Sequence, residues 1–244
     1  MSAFDSYLEQ VRSQIDRIES AQRPAIEQTA NWIADAFAAN RFLYVFGTGH
    51  SHLLAEEVFY RAGGLARVIP ILDDDLMLHR SASRSTALER EPGRAEPLLN
   101  QYGVGSGDVL IVASNGGRNA VPIELALGAR TCGARTVALT NLAQTRAWPS
   151  RHPSGHHLAD VADLVIDNGG VDGDAVVEIP GLGTRVGPTS TVTGTLILNL
   201  VAVQVIETIL ARGGIPDVFV SSNAGGEGHN EQLIQSMRRF NRHL

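Results

Sequence analysis

The chain has 244 residues, enough for one sizeable core, and its 43% hydrophobic and 19% charged content excludes a disordered protein. A net charge of −6 repels nucleic acid at long range and argues against a general DNA or RNA partner. With Cys132 as the only cysteine, an intrachain disulfide and a cysteine-based metal cluster are both excluded.

Residues 1–40 read as a helical arm. Leu8, Val11, Ile15 and Ile18 recur at spacings of three and four, which puts them on one stripe. Pro24 stands where a second helix would open, with Ile26, Ile33 and Phe37 on its apolar side and Trp32 beside them. Such an arm either docks on a partner subunit or covers its own sheet. Charged residues from Asp5 to Glu19 break any apolar core, so no signal peptide is expected and the chain reads as cytoplasmic.

Residues 41–244 read as a single domain. Phe42–Phe46 is a short, continuously apolar run of strand type, and a helix is expected from His52 to Ala62. Further strands fit 67–71, 109–113, 136–140 and 164–166, and a helix runs from Asn119 through Arg130. A polar stretch from Asp73 to Gln101 holds several possible helical turns, while 148–157 and 167–174 read as loops. Apolar strands alternating with helices predict an α/β fold, an open doubly wound parallel sheet flanked by helices. Val192–Leu210 is apolar on nearly every face, but Asn199, Gln204 and Glu207 interrupt it. A membrane span needs about 20 mostly apolar residues. A buried or subunit-interface helix is the expectation, with no membrane partner and a homodimer or homotetramer.

In an open parallel sheet, ligands bind beyond the carboxyl ends of the strands. Three segments lie at such ends or at a helix start: Gly47-Thr48-Gly49-His50-Ser51, Ser114-Asn115-Gly116-Gly117-Arg118-Asn119, and Thr189-Ser190-Thr191. Glycine lets backbone approach an anion, the first turn of a helix offers free amides, and hydroxyls add donors. Any one segment could be ordinary helix capping. Their recurrence points to a common target, a phosphate.

These segments resemble the phosphate loops of the sugar isomerase (SIS) domain family. The first is similar to the family loop in which a serine after the glycines contacts sugar phosphate. The second resembles the family's Ser-x-Ser-Gly-x-Thr loop, with Gly116 and Asn119 in place of its second serine and its threonine. The resemblance covers roughly Phe42 to Leu210. It implies the SIS fold and a sugar phosphate ligand. The branch it points to resembles N-acetylglucosamine-6-phosphate dehydratase and phosphosugar isomerases.

Chemistry on such sugars begins with removal of the proton at carbon 2, so a carboxylate or imidazole must be in reach. Glu56 and Glu57 lie on the helix after the first loop, where related enzymes place an acid–base residue. Successive helical residues point about 100° apart, so one of the two would face the site. Glu89 lies in the long polar stretch, and such stretches are often functional. His229 precedes the final helix, and some SIS enzymes bring a late histidine into the pocket from a neighbouring subunit.

Dehydration of N-acetylglucosamine 6-phosphate is the leading expectation. Aldose–ketose isomerisation is the first alternative and a non-catalytic sugar-phosphate sensor the second. No cofactor is expected: Gly47-x-Gly49-x-x-His52 half-matches a dinucleotide fingerprint, but His52 stands where close helix–strand packing needs glycine. His50 and His52, with Glu56 or Glu57, have spacing that could present a metal site, yet no His-Glu-x-x-His pattern occurs and no metal is assigned. His156 and His157 read as exposed loop residues.

Overall fold

The computed structural model describes residues 1–244. Helix α1 (Ala3–Ala38) is one continuous rod, and the Ser2 hydroxyl caps it by accepting from the Asp5 amide. The expectation of two helices divided at Pro24 is therefore corrected. Pro24 deprives the Ser20 carbonyl of its usual partner. Both residues are exposed, so water can take its place. Ile18 before the proline and Ile26, Ala30 and Ile33 after it bury in one cluster, which holds the rod straight through.

Five strands form the sheet: β1 (Leu43–Gly47), β2 (Val68–Ile71), β3 (Val109–Ala113), β4 (Arg135–Thr140) and β5 (Leu164–Asp167). Their order is β2-β1-β3-β4-β5, and every pairing is parallel. Strands buried on both faces need apolar side chains at every position, so these segments read as unbroken apolar runs. Tyr44, Phe46, Leu110, Val112 and Ala138 pack on one side against α4 (Ala95–Tyr102), α5 (Ala120–Thr131) and α7 (Leu158–Val161). Leu43, Val45, Val109, Ile111, Val137 and Leu139 pack on the other against α1, α2 (His52–Glu57) and α8 (Ser190–Ala211). The remaining helices are α3 (Ala82–Leu88), α6 (Leu142–Ala147) and α9 (Glu227–Met237).

Two strands, β6 (Ala175–Glu178) and β7 (Arg185–Pro188), form an antiparallel hairpin apart from the main sheet. Sequence reading did not anticipate it, because each strand has four residues and only Val177 is buried. Helix α8 is long and apolar enough to cross a membrane by length and composition, but Ile197, Leu198, Val201 and Val205 are buried in the protein's own core. Its other side leaves Val192, Leu200, Val203 and Leu210 exposed.

From β1 the chain moves outward to β2, then crosses back to β3 on the other side of β1. The order reverses between β1 and β3, whose last residues Gly47 and Ala113 sit in register. That crevice is where a sheet of this kind takes a ligand.

Candidate functional site

The first loop folds tightly back on its strand. The Ser51 amide donates to the Thr48 carbonyl at 2.9 Å. A Cβ on Gly47 would lie 2.2 Å from the Ser51 carbonyl oxygen, so no other residue fits under this turn. Thr48 is buried, and its hydroxyl donates to Glu89 Oε2 at 2.6 Å. His52 is buried beneath the loop with Nδ1 against the Gly49 carbonyl, while the His50 side chain is exposed.

The second loop is built on Ser114. Its amide donates to the Leu139 carbonyl at 3.0 Å, and its hydroxyl accepts from the Gly117 amide at 3.2 Å. Gly117 takes a left-handed φ of +58°, and a Cβ there would meet Thr140 Oγ1 at 2.9 Å. The amides of Asn115, Gly116, Arg118 and Asn119 meet no acceptor within the chain. They are donors open to a ligand. Asn115 is held between Gln144 and Asn168, donating to the first at 3.2 Å and accepting from the second at 2.9 Å.

At the start of α8 an acceptor is already present. Asp174 Oδ1 accepts from the Thr189 and Ser190 amides at 3.1 and 2.9 Å, and Oδ2 accepts from the Ser190 hydroxyl at 2.7 Å. Thr189 is fully buried and its hydroxyl has no partner. The amides of Thr191 and Val192 remain the open ones of that first turn. Thr48, Asn119 and Thr189 all stand at helix starts, yet none caps its helix through its side chain. Simple capping therefore does not explain these residues.

Ser51, Ser114, Asn115, Asn168, Ser190 and Thr191 line one small recess together with Leu54, Leu139 and Gly194. All three predicted segments thus meet at one place. Thr189 and His50 are not among its walls. Such a hydroxyl- and amide-lined recess can hold a tetrahedral oxyanion without a cation.

Glu89 ends α3, beside both loops. Its Oε2 accepts from Thr48, and its Oε1 accepts from Asn119 Nδ2 at 2.7 Å. Burial raises its carboxyl above the ordinary range; the Thr48 hydrogen bond and the Arg90 and Arg151 charges pull the other way and are outweighed. Each carboxylate oxygen has a second lone pair, so both can still accept a proton.

The other candidates lie elsewhere. Glu57 is bound to Arg61 at 2.9 Å and to Asn199 at 3.1 Å, both away from the cavity. Glu56 is half exposed, with His52 Nε2 3.9 Å away. His229 Nε2 donates to the Val218 carbonyl at 2.9 Å, and the chain brings no loop of the site to it. No three His, Cys, Asp or Glu side chains gather where they could share an ion. Arg118 does not line the cavity but lies over the Trp148 ring, 5.7 Å from its centroid.

Sequence reading missed Asn168, Asp174 and Arg151, which donates to Asn119 Oδ1 at 3.1 Å. Asn168 directly follows β5, so the strand-end rule could have found it. Nothing in the local sequence marks Arg151 or Asp174.

Comparison with known proteins agrees with the fold. The model of the SIS domain matches residues 6–141. A UPF0309 protein of Geobacillus kaustophilus is 40% identical over 236 residues, covering 96% of this chain and 94% of that protein. One from Brucella abortus is 42% identical over 241 residues, covering 98% of each. The phosphoheptose isomerase of Francisella tularensis superposes with a TM-score of 0.57 at 17% identity, over 85% of this chain and 100% of its own. Vibrio vulnificus NanR, complexed with ManNAc-6P, superposes with a TM-score of 0.52 at 15% identity, over 86% of this chain and 64% of its own. At such identities the likeness is one of fold.

Proposed function

The chain belongs to the SIS-domain family and, within it, to the UPF0309 proteins, and on that footing we propose that it removes the carbon 2 proton of a hexosamine or hexose 6-phosphate. The substrate we favour is N-acetylglucosamine 6-phosphate. Ser51, Ser114, Ser190, Thr191 and the open amides of the second loop hold the phosphate, and Glu89 is the base. The observation that carries this reading is the placement of Glu89, each carboxylate oxygen held by a different phosphate loop. Glu89 is not itself a wall of the recess, but Thr48 and Asn119, which hold it, belong to the two loops whose serines line it. The complex of NanR with ManNAc-6P supports a sugar phosphate as the kind of ligand such a fold accepts.

In the open-chain aldehyde, Glu89 takes the proton at carbon 2. The freed electron pair forms a carbon 1–carbon 2 double bond, and the carbonyl becomes an enolate. The pair then moves to carbon 2–carbon 3, the carbon 3–oxygen bond breaks, and hydroxide leaves with the abstracted proton as water. An acetamido nitrogen at carbon 2 cannot pass readily to a ketone, which favours this outcome for an amino sugar. Return of the proton to carbon 1 would give isomerisation of a plain hexose instead. A raised carboxyl suits the step, since a stronger base drives proton removal. The exposed apolar side of α8 supports assembly as a homodimer or homotetramer, in which a second copy would cover Leu200 and Val203.

The test is incubation in D2O with N-acetylglucosamine 6-phosphate and glucose 6-phosphate. Mass spectrometry and NMR would follow loss of water and loss of the carbon 2 proton signal. Dehydration or deuterium exchange at carbon 2, abolished by Glu89→Gln, is the expected result. Sugar phosphates that bind but neither exchange nor react would leave the sensor reading standing.

A further inference from the structure

Two guanidinium groups stand at the second loop without a direct ion pair. No carboxylate oxygen lies within 4.0 Å of a nitrogen of Arg118 or Arg151, and the one carboxylate acting on Arg151, that of Glu89, is already held by Thr48 and Asn119. Arg118 Nε is buried without any hydrogen-bond partner. Its side chain is held against Trp148, a contact that fixes the planar group while leaving its outer nitrogens unclaimed. Arg151 is tied to the same loop twice: its amide donates to the Arg118 carbonyl at 2.8 Å, and its Nη1 to Asn119 Oδ1 at 3.1 Å. Asn119 Nδ2 in turn donates to Glu89 Oε1. Burial, then the Arg118 and Arg90 charges, lower the Arg151 guanidinium from its ordinary range, and the Glu89 charge, which pulls the other way, is outweighed. Like charges crowded beside a single carboxylate are stabilised by a further anion that enters between them.

We propose that Arg118 and Arg151 form a second anion subsite beside Glu89, so that the natural ligand is a sugar phosphate carrying another anionic group. The inference rests on the phosphosugar reading above, in which the Ser51–Ser114–Ser190 recess holds the first phosphate. The two subsites are separate features of one loop: Ser114 begins it and Arg118 lies four residues on. Four extended residues span at most about 14 Å, and the Gly117 turn shortens that. A carboxylate and a second phosphate offer the same chemistry to a guanidinium fork. A neutral hexose 6-phosphate would fill only the first subsite and leave the arginines unpaired.

Calorimetric titration of the full chain with two ligand pairs tests this. One pair is N-acetylglucosamine 6-phosphate and N-acetylglucosamine 1,6-bisphosphate; the other is glucose 6-phosphate and 6-phosphogluconate. The doubly anionic member of at least one pair should bind about tenfold tighter or more, and the pair that responds tells phosphate from carboxylate. That advantage should shrink with added salt and fall to within about threefold in Arg118→Gln/Arg151→Gln, with the singly phosphorylated ligands little changed. Arg151→Gln alone alters an exposed side chain and should remove part of the advantage if the double variant folds poorly. Equal affinities within both pairs, or an advantage that survives the double variant, overturns the second subsite. Ser114→Ala separates the two readings. Singly phosphorylated sugars that bind and weaken in Ser114→Ala, with no gain from the second anion, sink the subsite alone. No binding of any of the four ligands sinks both.

Discussion

Replacing Glu89 by Gln separates the chemistry of this carboxylate from its structural cost. The amide is the same shape, and Asn119 Nδ2 can still donate to its oxygen. The Thr48 hydroxyl now donates to Oε2, but it can rotate and accept from the new amide nitrogen. Geometry is therefore kept while the charge is removed. As the base, Glu89 should be worth about 10²–10⁴ in kcat, with a far smaller effect on ligand affinity. Stability should move the opposite way. Burial raises the Glu89 carboxyl, so the folded state holds that proton more tightly than the unfolded chain does. This stabilising contribution is fully present below the ordinary carboxyl range and is lost as pH rises through the raised value. Each unit by which burial raises it corresponds to about 1.4 kcal/mol. In a chain of this length that is a change in Tm of about 2–4 °C per kcal/mol. Thermal unfolding of both proteins from pH 4 to pH 8 checks the sign. Glu89→Gln should melt at or below the parent near pH 4 and above it at pH 8. A variant less stable than the parent at pH 8, by a gap that does not change with pH, would refute the claim that burial sets the state of this carboxyl.

Gly47→Ala should displace the first loop, because its Cβ would fall 2.2 Å from the Ser51 carbonyl oxygen. We expect a loss of about 1–3 kcal/mol in chemical denaturation, with sugar-phosphate binding abolished or nearly so. Asp174→Ala removes the acceptor of the Thr189 and Ser190 amides and should destabilise the chain by about 1–2 kcal/mol, read by the same unfolding curves. Val203→Asp, on the exposed apolar side of α8 at 65% exposure, should dissociate the proposed homo-oligomer in light scattering while leaving the circular dichroism of the protomer unchanged. Thr48→Val and Asn119→Ala each free one oxygen of Glu89. Each should lower kcat more than it raises KM, and the double variant should lose less than the product of the two single losses, since both act through one carboxylate.

The strands were legible because burial on both faces leaves an unbroken apolar run. Val109–Ala113 matches the expectation to the residue, and β2, β4 and β5 differ from theirs by one. The hairpin of β6 and β7 left no such mark, since Val177 is its sole buried residue. Pro24 misled for a different reason. Its effect on a helix depends on where the orphaned carbonyl points, and solvent exposure of Ser20 is a tertiary fact. Ser51 and Ser114 could be picked out because strand ends and glycines fix where such loops converge. No local signal ranked the three glutamates. Glu56 and Glu57 follow a phosphate loop directly, which made them the nearer choices in sequence. Glu89 reaches the site only because the end of α3 packs against Thr48, 41 positions before it, and Asn119, 30 positions after it.

Those two contacts join both candidate phosphate loops to one carboxylate. Thr48 is three residues from Ser51, and Asn119 is five residues from Ser114, so each phosphate loop also carries one hydrogen bond to the carboxylate. Gly47 and Gly117 make both turns tight, since a Cβ on either would meet an atom within 3.0 Å. The candidate phosphate loops are, in the folded chain, equally the clamps of the candidate base. Asn119, which stands where the family pattern has a threonine, illustrates the exchange. A threonine's short hydroxyl side chain offers one donor; the longer asparagine side chain reaches Glu89 with its nitrogen and Arg151 with its oxygen. Asn119 offers the loop no hydroxyl there and instead links Glu89 to Arg151.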